Sequence, residues 1–75
     1  MKSLGDAKVG ETLKIVKIEG AGPAKRHIMD MGITKGTEVF VRKVAPLGDP
    51  MQISLRGFEL TIRRDDARNV MVDGI

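Results

Sequence analysis

The sequence predicts a mainly β fold, a small, partly open barrel of about five strands with one short α-helix and a single helical turn. Three observations support this fold class. Short segments alternate apolar and polar residues, which is typical of half-buried strands. Glycine and proline interrupt these segments at short intervals, so the connections are tight. Only the segment after Pro23 spaces its apolar residues as a helix does.

The composition limits the stability that such a fold can reach. The chain has 75 residues, no cysteine and a formal net charge of +3. A chain of this length buries only about 60% of the surface that its unfolded form exposes, so apolar packing must replace disulfides and thiolate-bound metal. We expect residues 1–75 to form a single domain in the cytoplasm. No membrane insertion is expected, since no apolar run approaches about 20 residues.

The first predicted strand covers residues 11–19, after a polar lead-in over residues 1–10. Apolar residues occupy one parity up to Ile15 and the other parity from Val16 onward. A change of parity inside one apolar run predicts a β-bulge or a sharp bend at this point. Such a bend curves a sheet toward closure.

A short helix is predicted to follow the glycine-rich break. Pro23 suits the first helical turn because its missing N–H would have no helical partner there. Gly32 is expected to end the helix in the left-handed conformation. The predicted apolar stripe, at positions i, i+4 and i+7, consists of Ala24, Ile28 and Met31.

The next strand, over residues 37–45, is expected at the centre of the sheet. It is rich in β-branched residues and carries apolar side chains on both parities. Phe40 belongs to this pattern, and Phe58 belongs to the similar pattern of a later strand. Both phenylalanines are therefore expected in the core.

A hairpin and a last strand complete the predicted barrel. Residues 51–55 and 58–62 alternate at period two and are separated only by an Arg-Gly pair, with Gly57 expected at positive φ. Asp65 is expected to cap a single helical turn before the strand at residues 70–72. This combination of five short strands, one helix and tight turns is typical of a partly open barrel of the SH3-like kind.

Three segments carry a family resemblance. They are Arg-His-Ile-Met-Asp-Met-Gly-Ile at residues 26–33, Lys-Gly-Thr-Glu-Val at residues 35–39, and Ala-Pro-Leu-Gly-Asp-Pro at residues 45–50. In this order and spacing they resemble the FeoA family of bacterial ferrous iron uptake, and the third is the most specific. The helix departs from the family's usual leucines at Ile28, Met29 and Met31, and swaps of similar volume are tolerated.

The resemblance implies a partner and a role. It implies an SH3-like barrel that acts in the cytosol as an accessory or regulatory protein of ferrous iron uptake. Its partner would be the membrane transporter FeoB, bound on the cytosolic side, where that transporter has a GTP-hydrolysing domain. Binding would modulate the transporter's activity.

Two surface segments are candidate partner contacts. In the loop at residues 45–50, two prolines stiffen the backbone, Gly48 permits a tight turn and Asp49 can accept a local backbone hydrogen bond. Leu47 at its tip is either an anchor for a partner or a side chain folded onto the barrel. The second segment is a helix side whose cations could steer toward an acidic partner. The residues assigned to partner binding are Lys25, Arg26, Met29, Ala45, Pro46, Leu47, Gly48, Asp49 and Pro50.

Catalytic and metal-binding chemistry is sparse. With no cysteine or tyrosine and with His27 as the sole histidine, no spacing of nucleophile, acid and base indicates an enzyme. His27 and Asp30 could share a helix face as two ligands of a divalent metal. A working metal site usually needs three or four ligands, so we expect a solvated pair and no resident cofactor, with a transient divalent-metal contact as the alternative.

Two alternative functions stay open. A small basic barrel could bind nucleic acid, although base stacking requires exposed aromatic side chains and acidic residues follow the basic pair Arg63-Arg64. Related barrels also form the C-terminal domain of metal-dependent repressors of the diphtheria-toxin-repressor type, which suggests a metal-sensing regulatory domain. Those repressors need a DNA-reading segment ahead of the barrel, for which we expect no room in this chain.

Overall fold

The computed structural model describes residues 2–74, and Met1 and Ile75 lie outside the described range. The strands are β1 (Lys2–Ser3), β2 (Thr12–Ile18), β3 (Glu38–Val44), β4 (Met51–Leu55), β5 (Phe58–Ile62) and β6 (Val70–Gly74). They form one antiparallel sheet in the order β1-β6-β2-β3-β4-β5. The helices are α1 (Gly22–Asp30) and α2 (Arg64–Ala67). The mainly β fold is confirmed, with one strand more than expected.

The sheet curves through two irregularities, one of which was predicted. Ile15 and Lys17 pair with consecutive residues of β6, so Val16 is the extra residue of a bulge in β2. A second register shift lies between Val41 and Lys43, where β3 pairs with β4. Bulges bend a strand and increase its twist, so both irregularities curve the sheet around its core. The predicted central position of β3 is confirmed.

The core is almost entirely aliphatic. It combines inward positions of the strands with side chains from α1, α2 and the N-terminal turn. Burying a side chain of this kind contributes roughly 1.5–3 kcal/mol. The largest fully buried side chains are Leu4, Leu13, Ile15, Ile28, Ile33, Met51, Ile53, Ile62, Val39, Val41, Val70 and Val72.

Both phenylalanines lie outside this core, so the prediction for Phe40 and Phe58 is wrong. Phe40 is 40% exposed and Phe58 is 66% exposed. Phe40 alternates with the buried Val39 and Val41, and therefore lies on the outer face of β3. Phe58 lies opposite Leu55 and has the same parity as the buried Ile62, but it is the first residue of β5, beside the hairpin turn, where its ring stays exposed.

The N-terminal segment is structured, which corrects the expectation of a polar lead-in. β1 pairs with β6, and the 3-10 turn that follows buries Leu4 completely. The Glu11 carboxylate accepts hydrogen bonds from Lys2 Nζ at 2.8 Å and from the Lys8 backbone N–H at 2.6 Å. These two hydrogen bonds lower the pKa of Glu11 below its usual range. They also fasten the segment to the start of β2.

Helix α1 has the predicted ends, but fewer of its side chains are buried than the predicted apolar stripe implies. Pro23 lies in its first turn, and Gly32 follows it with φ of 89°. Of the predicted stripe only Ile28 is buried, whereas Ala24 is exposed and Met31 is half-buried. The helix therefore contacts the core mainly through one side chain. Neither helix of residues 2–74 is long and apolar enough to cross a membrane.

The hairpin of β4 and β5 has the predicted two-residue turn. Arg56 and Gly57 connect the strands, with φ of 49° and 81°. Two consecutive positive φ values match the type I′ turn, whose twist suits an antiparallel hairpin. Only Gly57 was expected in this conformation. Arg56 also adopts it, which places its side chain at the end of the hairpin.

Candidate partner-binding site

The loop at residues 45–50 is a closed turn that presents one aliphatic side chain. The Gly48 N–H donates to the Ala45 carbonyl at 2.7 Å, and the Ala45 N–H donates to the Pro50 carbonyl at 3.0 Å. Gly48 has φ of 88°, a conformation that favours glycine. Leu47 is 96% exposed. The alternative in which Leu47 folds onto the barrel is therefore wrong.

Arg64 fastens this loop to the barrel. Its Nε donates to the Gly48 carbonyl at 2.7 Å, and its Nη1 donates to the Gly5 carbonyl at 2.7 Å. Hydrogen bonds from a charged donor are stronger than neutral ones. One side chain thus joins the loop, α2 and the N-terminal turn. No local pattern indicated this role, because Arg64 belongs to a basic pair that acidic residues follow, which is typical of a solvated surface.

Asp49 and Asp65 do not have the predicted contacts. Asp49 was expected to bond locally, yet its Oδ1 accepts from the Arg64 backbone N–H at 2.9 Å, at the start of α2. Asp65 was expected to cap this helical turn, but it accepts from Arg68 Nη1 at 3.3 Å. A carboxylate beside a helix N-terminus interacts favourably with the unpaired N–H groups there. The loop and α2 therefore form one hydrogen-bonded unit.

Lys25 and Met29 line a cleft between α1, the β2 bulge and the turn before β3. The two residues are four positions apart and so share one side of the helix. The cleft has a volume of about 580 Å³, and its other lining residues are Val16, Lys17, Ile18 and Lys35. Aliphatic and methionine side chains supply its walls, and three lysines supply positive charge. We call it the lysine-rimmed cleft.

The remaining predicted contact residues lie elsewhere. Arg26 lines a separate hollow of about 430 Å³ with Gly22 and Pro23. A third hollow, of about 260 Å³, is lined by the loop residues Ala45, Pro46 and Pro50 together with Lys43, Val44, Gln52 and Thr61. The predicted helix side is therefore divided between two hollows. Neither of them includes residues of the loop.

A second arginine fixes the turn that carries Lys35. Arg56 Nη2 donates to Thr34 Oγ1 at 3.2 Å and to Thr37 Oγ1 at 3.0 Å. The Thr37 N–H also donates to the Thr34 carbonyl at 3.1 Å, which closes the turn. Lys35 lies inside this turn, so Arg56 positions its backbone beside the cleft. Sequence reasoning missed this contact, which joins residues of two different connections.

The candidate metal ligands His27 and Asp30 are exposed on α1. Across residues 2–74, no group of three or more histidine, cysteine, aspartate or glutamate residues could hold a metal ion. The described structure thus supplies the pair with no third ligand of these types. A transient divalent-metal contact at His27 and Asp30 stays the alternative to a solvated pair.

The exposed phenylalanines remove one argument against nucleic-acid binding. Phe40 and Phe58 offer the ring surface that base stacking requires. The argument from charge still applies, because Arg42, on the same strand face as Phe40, pairs with Glu59 at 2.7 Å. The charge of Arg42 is therefore compensated locally.

Sequence comparisons associate the chain with iron transport proteins. A family model described as the FeoA domain matches residues 2–74. An Fe(2+) transport protein A/Fe(2+) transporter FeoB fusion protein from Porphyromonas gingivalis (strain ATCC BAA-308 / W83) is 31% identical over 70 residues. The match covers 93% of this chain and 8% of the relative, so the chain spans a small part of that protein's length.

Solved structures confirm the SH3-like fold. A FeoA-like protein from Clostridium acetobutylicum superposes with a TM-score of 0.93 and 34% identity, over 99% of this chain and 86% of that one. The zinc complex of Stenotrophomonas maltophilia FeoA, described as a prokaryotic SH3 domain protein, has a TM-score of 0.84 and 19% identity, over 97% and 91%. A manganese-dependent transcriptional repressor has a TM-score of 0.88 and 16% identity, over 99% and 41%. The last two likenesses are of fold alone.

Proposed function

Because the chain belongs to the FeoA domain family, we propose that it is a cytosolic accessory protein of ferrous iron uptake that binds the transporter FeoB and modulates its activity. The observation that carries this proposal is the relative in which a matching segment and FeoB are one polypeptide. Fusion holds two modules at a high effective concentration. A separate chain of the same family would instead need a surface with its own affinity for the transporter.

The loop and the lysine-rimmed cleft are the proposed contact surfaces. Leu47 projects from a loop whose backbone is already fixed by hydrogen bonds and by Arg64. A preorganised anchor loses little conformational entropy on binding, which favours affinity. Met29 is 45% exposed and adds a flexible apolar contact at the cleft. The proposed set remains Lys25, Arg26, Met29, Ala45, Pro46, Leu47, Gly48, Asp49 and Pro50.

The proposal assigns binding to this chain and hydrolysis of GTP to its partner. The largest of the three hollows described above is lined by lysine, methionine and aliphatic residues. Such a lining offers no paired acid and base of the kind that general acid–base catalysis uses. Modulation would therefore follow from contact with the transporter.

An amide-resolved NMR titration tests the proposal. The labelled chain is titrated with full-length cognate FeoB in nanodiscs and with its soluble GTPase-containing part, each loaded with GDP or with a GTP analogue. We expect perturbations at residues 45–50 and 25–29, and a difference between nucleotides would support regulation. An unrelated soluble GTPase is the control. No perturbation by either form of the transporter would reject the proposal.

A further inference from the structure

The lysine-rimmed cleft carries positive charge that the described residues 2–74 neutralise only in part. Lys17 Nζ lies 3.7 Å from Glu19, a long contact between exposed groups. The ion pairs found among residues 2–74 include neither Lys25 nor Lys35. Three cations around one hollow create a positive potential that attracts carboxylates.

Between these cations the cleft is apolar. Ile18 is buried, Val16 is half-buried and Met29 is 45% exposed. An exposed methionine beside aliphatic walls adapts its shape to a range of apolar side chains. The volume of about 580 Å³ falls within the range of ligand-binding pockets. A matching ligand would therefore carry an apolar group flanked by negative charges.

Of the three elements around the cleft, the bulge of β2 and the turn before β3 are joined by hydrogen bonds. The Gly36 N–H donates to the Ile15 carbonyl at 2.7 Å, and the Ile15 N–H donates to the Thr37 carbonyl at 2.9 Å. These bonds tie the turn that carries Lys35 to the bulge of β2, and Arg56 braces the same turn. The cleft is thus preorganised on the side opposite α1, which reduces the entropic cost of binding.

From this combination we infer that the lysine-rimmed cleft binds an acidic peptide segment with one central apolar side chain. The inference rests on the proposed function in one respect, because it places that segment in FeoB. An acidic peptide is favoured over a nucleic acid because the cleft walls are aliphatic, whereas binding of single strands uses aromatic stacking. The apolar side chain would contact Met29, and the acidic residues would face Lys25 and Lys35.

A charge-reversal pair tests the inference against the transporter. Lys35→Glu changes an exposed residue at the cleft, and Lys8→Glu makes the same change at an exposed residue outside it. We expect Lys35→Glu to weaken FeoB binding by about tenfold at low salt, through loss of one close charge pair. Lys8→Glu is expected to bind as the unchanged protein does. Equal binding by all three would overturn the inference and leave the proposed function intact.

A second probe works without the transporter. The capped pentapeptide Glu-Asp-Leu-Glu-Asp is titrated into protein labelled at its methionine methyl groups. We expect saturable shifts of the Met29 methyl that Lys35→Glu suppresses and Lys8→Glu retains. With these shifts but no FeoB binding, the proposed function fails and the cleft chemistry stands. No shift at millimolar peptide, or a stronger shift with single-stranded RNA, overturns the inference.

Discussion

Arg64 and Gly48 lie 16 residues apart in sequence and meet through a hydrogen bond of 2.7 Å from Nε to the carbonyl oxygen. The same guanidinium reaches the Gly5 carbonyl near the start of the chain. Both acceptors are backbone atoms, so this contact fixes the path of the chain at the two positions. The exposed Leu47 precedes Gly48 directly and therefore takes its position from Arg64.

Replacing Arg64 with methionine is expected to destabilise the fold and loosen the loop. The change retains much of the aliphatic volume but removes the donors to Gly48 and Gly5. Loss of hydrogen bonds from a charged group costs about 1–3 kcal/mol in unfolding free energy. Urea denaturation measures this loss. Arg63→Met, at an exposed neighbour without these contacts, is the control, and an equal loss there would contradict the assigned role.

Replacing Leu47 with aspartate is expected to lower the affinity for FeoB while leaving the stability of the fold almost unchanged. With the side chain 96% exposed, the unfolding free energy changes by no more than about 0.5 kcal/mol. Affinity for FeoB is expected to fall about tenfold if Leu47 is an anchor. Calorimetric titration and thermal unfolding measure the two effects. Val9→Asp introduces the same charge at another exposed aliphatic residue, and a matching loss of affinity there would argue against a specific anchor.

Truncating Leu4 to alanine is expected to cost about 2–5 kcal/mol in unfolding free energy, the range for large-to-small changes in a core. The reason is that Leu4 is completely buried although it lies near the N-terminus. Val9→Ala shortens a nearby side chain that is 58% exposed and should have little effect. Chemical denaturation compares the two variants. If Leu4→Ala were as stable as Val9→Ala, the N-terminal turn would not belong to the core.

Acidification is expected to weaken the contact of the N-terminal segment with β2. Hydrogen bonds from Lys2 and from the Lys8 backbone lower the pKa of Glu11. A carboxylate whose pKa is lowered in the folded state stabilises that state. The full stabilisation is present at pH values above the pKa of the unfolded chain, about 4.3, and it is lost as the pH falls through the lower pKa of the folded protein. Denaturation at successive pH values should show this loss, and Glu11→Gln should remove it. Glu38→Gln makes the same change at an exposed residue of β3 outside this contact, and an equal effect there would contradict the role assigned to Glu11.

Anaerobic addition of Fe²⁺ in stoichiometric amounts is expected to leave the NMR signals of His27 and Asp30 unchanged. Residues 2–74 supply no third histidine, cysteine or acidic ligand to this pair, and two exposed ligands hold a divalent ion only weakly. Proton NMR of the histidine ring and amide spectra provide the measurement, with His27→Ala as the reference. A saturable change that disappears in His27→Ala would show that the chain binds iron directly.

Local patterns predicted the elements that depend on neighbouring residues. The hairpin followed from period-two alternation around an Arg-Gly pair, and both strands have the expected ends. The bulge at Val16 followed from a change of parity in one run. In both cases the information lies within about ten residues, where alternation and turn preferences act.

Features set by distant contacts were missed for a physical reason. β1 has two residues, too few for any periodicity, and exists through its pairing with β6. Alternation assigned a parity to Phe40 and Phe58, but whether a face is covered depends on elements far along the chain. The Asp49 contact with Arg64 likewise depends on the folded path of the backbone. The sequence positions of charged residues such as these do not show which of them meet in the folded chain.

The pairing of β1 with β6 also determines how this barrel can be attached to other proteins. Lys2 lies opposite Val72, so the first and last strands of the described chain are hydrogen-bonded neighbours at one edge of the sheet. A linker grafted at either end therefore leaves from the same corner, and the order in which two modules are joined changes their relative placement little. Adjacent ends are also the geometry that tolerates insertion of a whole domain into a host loop.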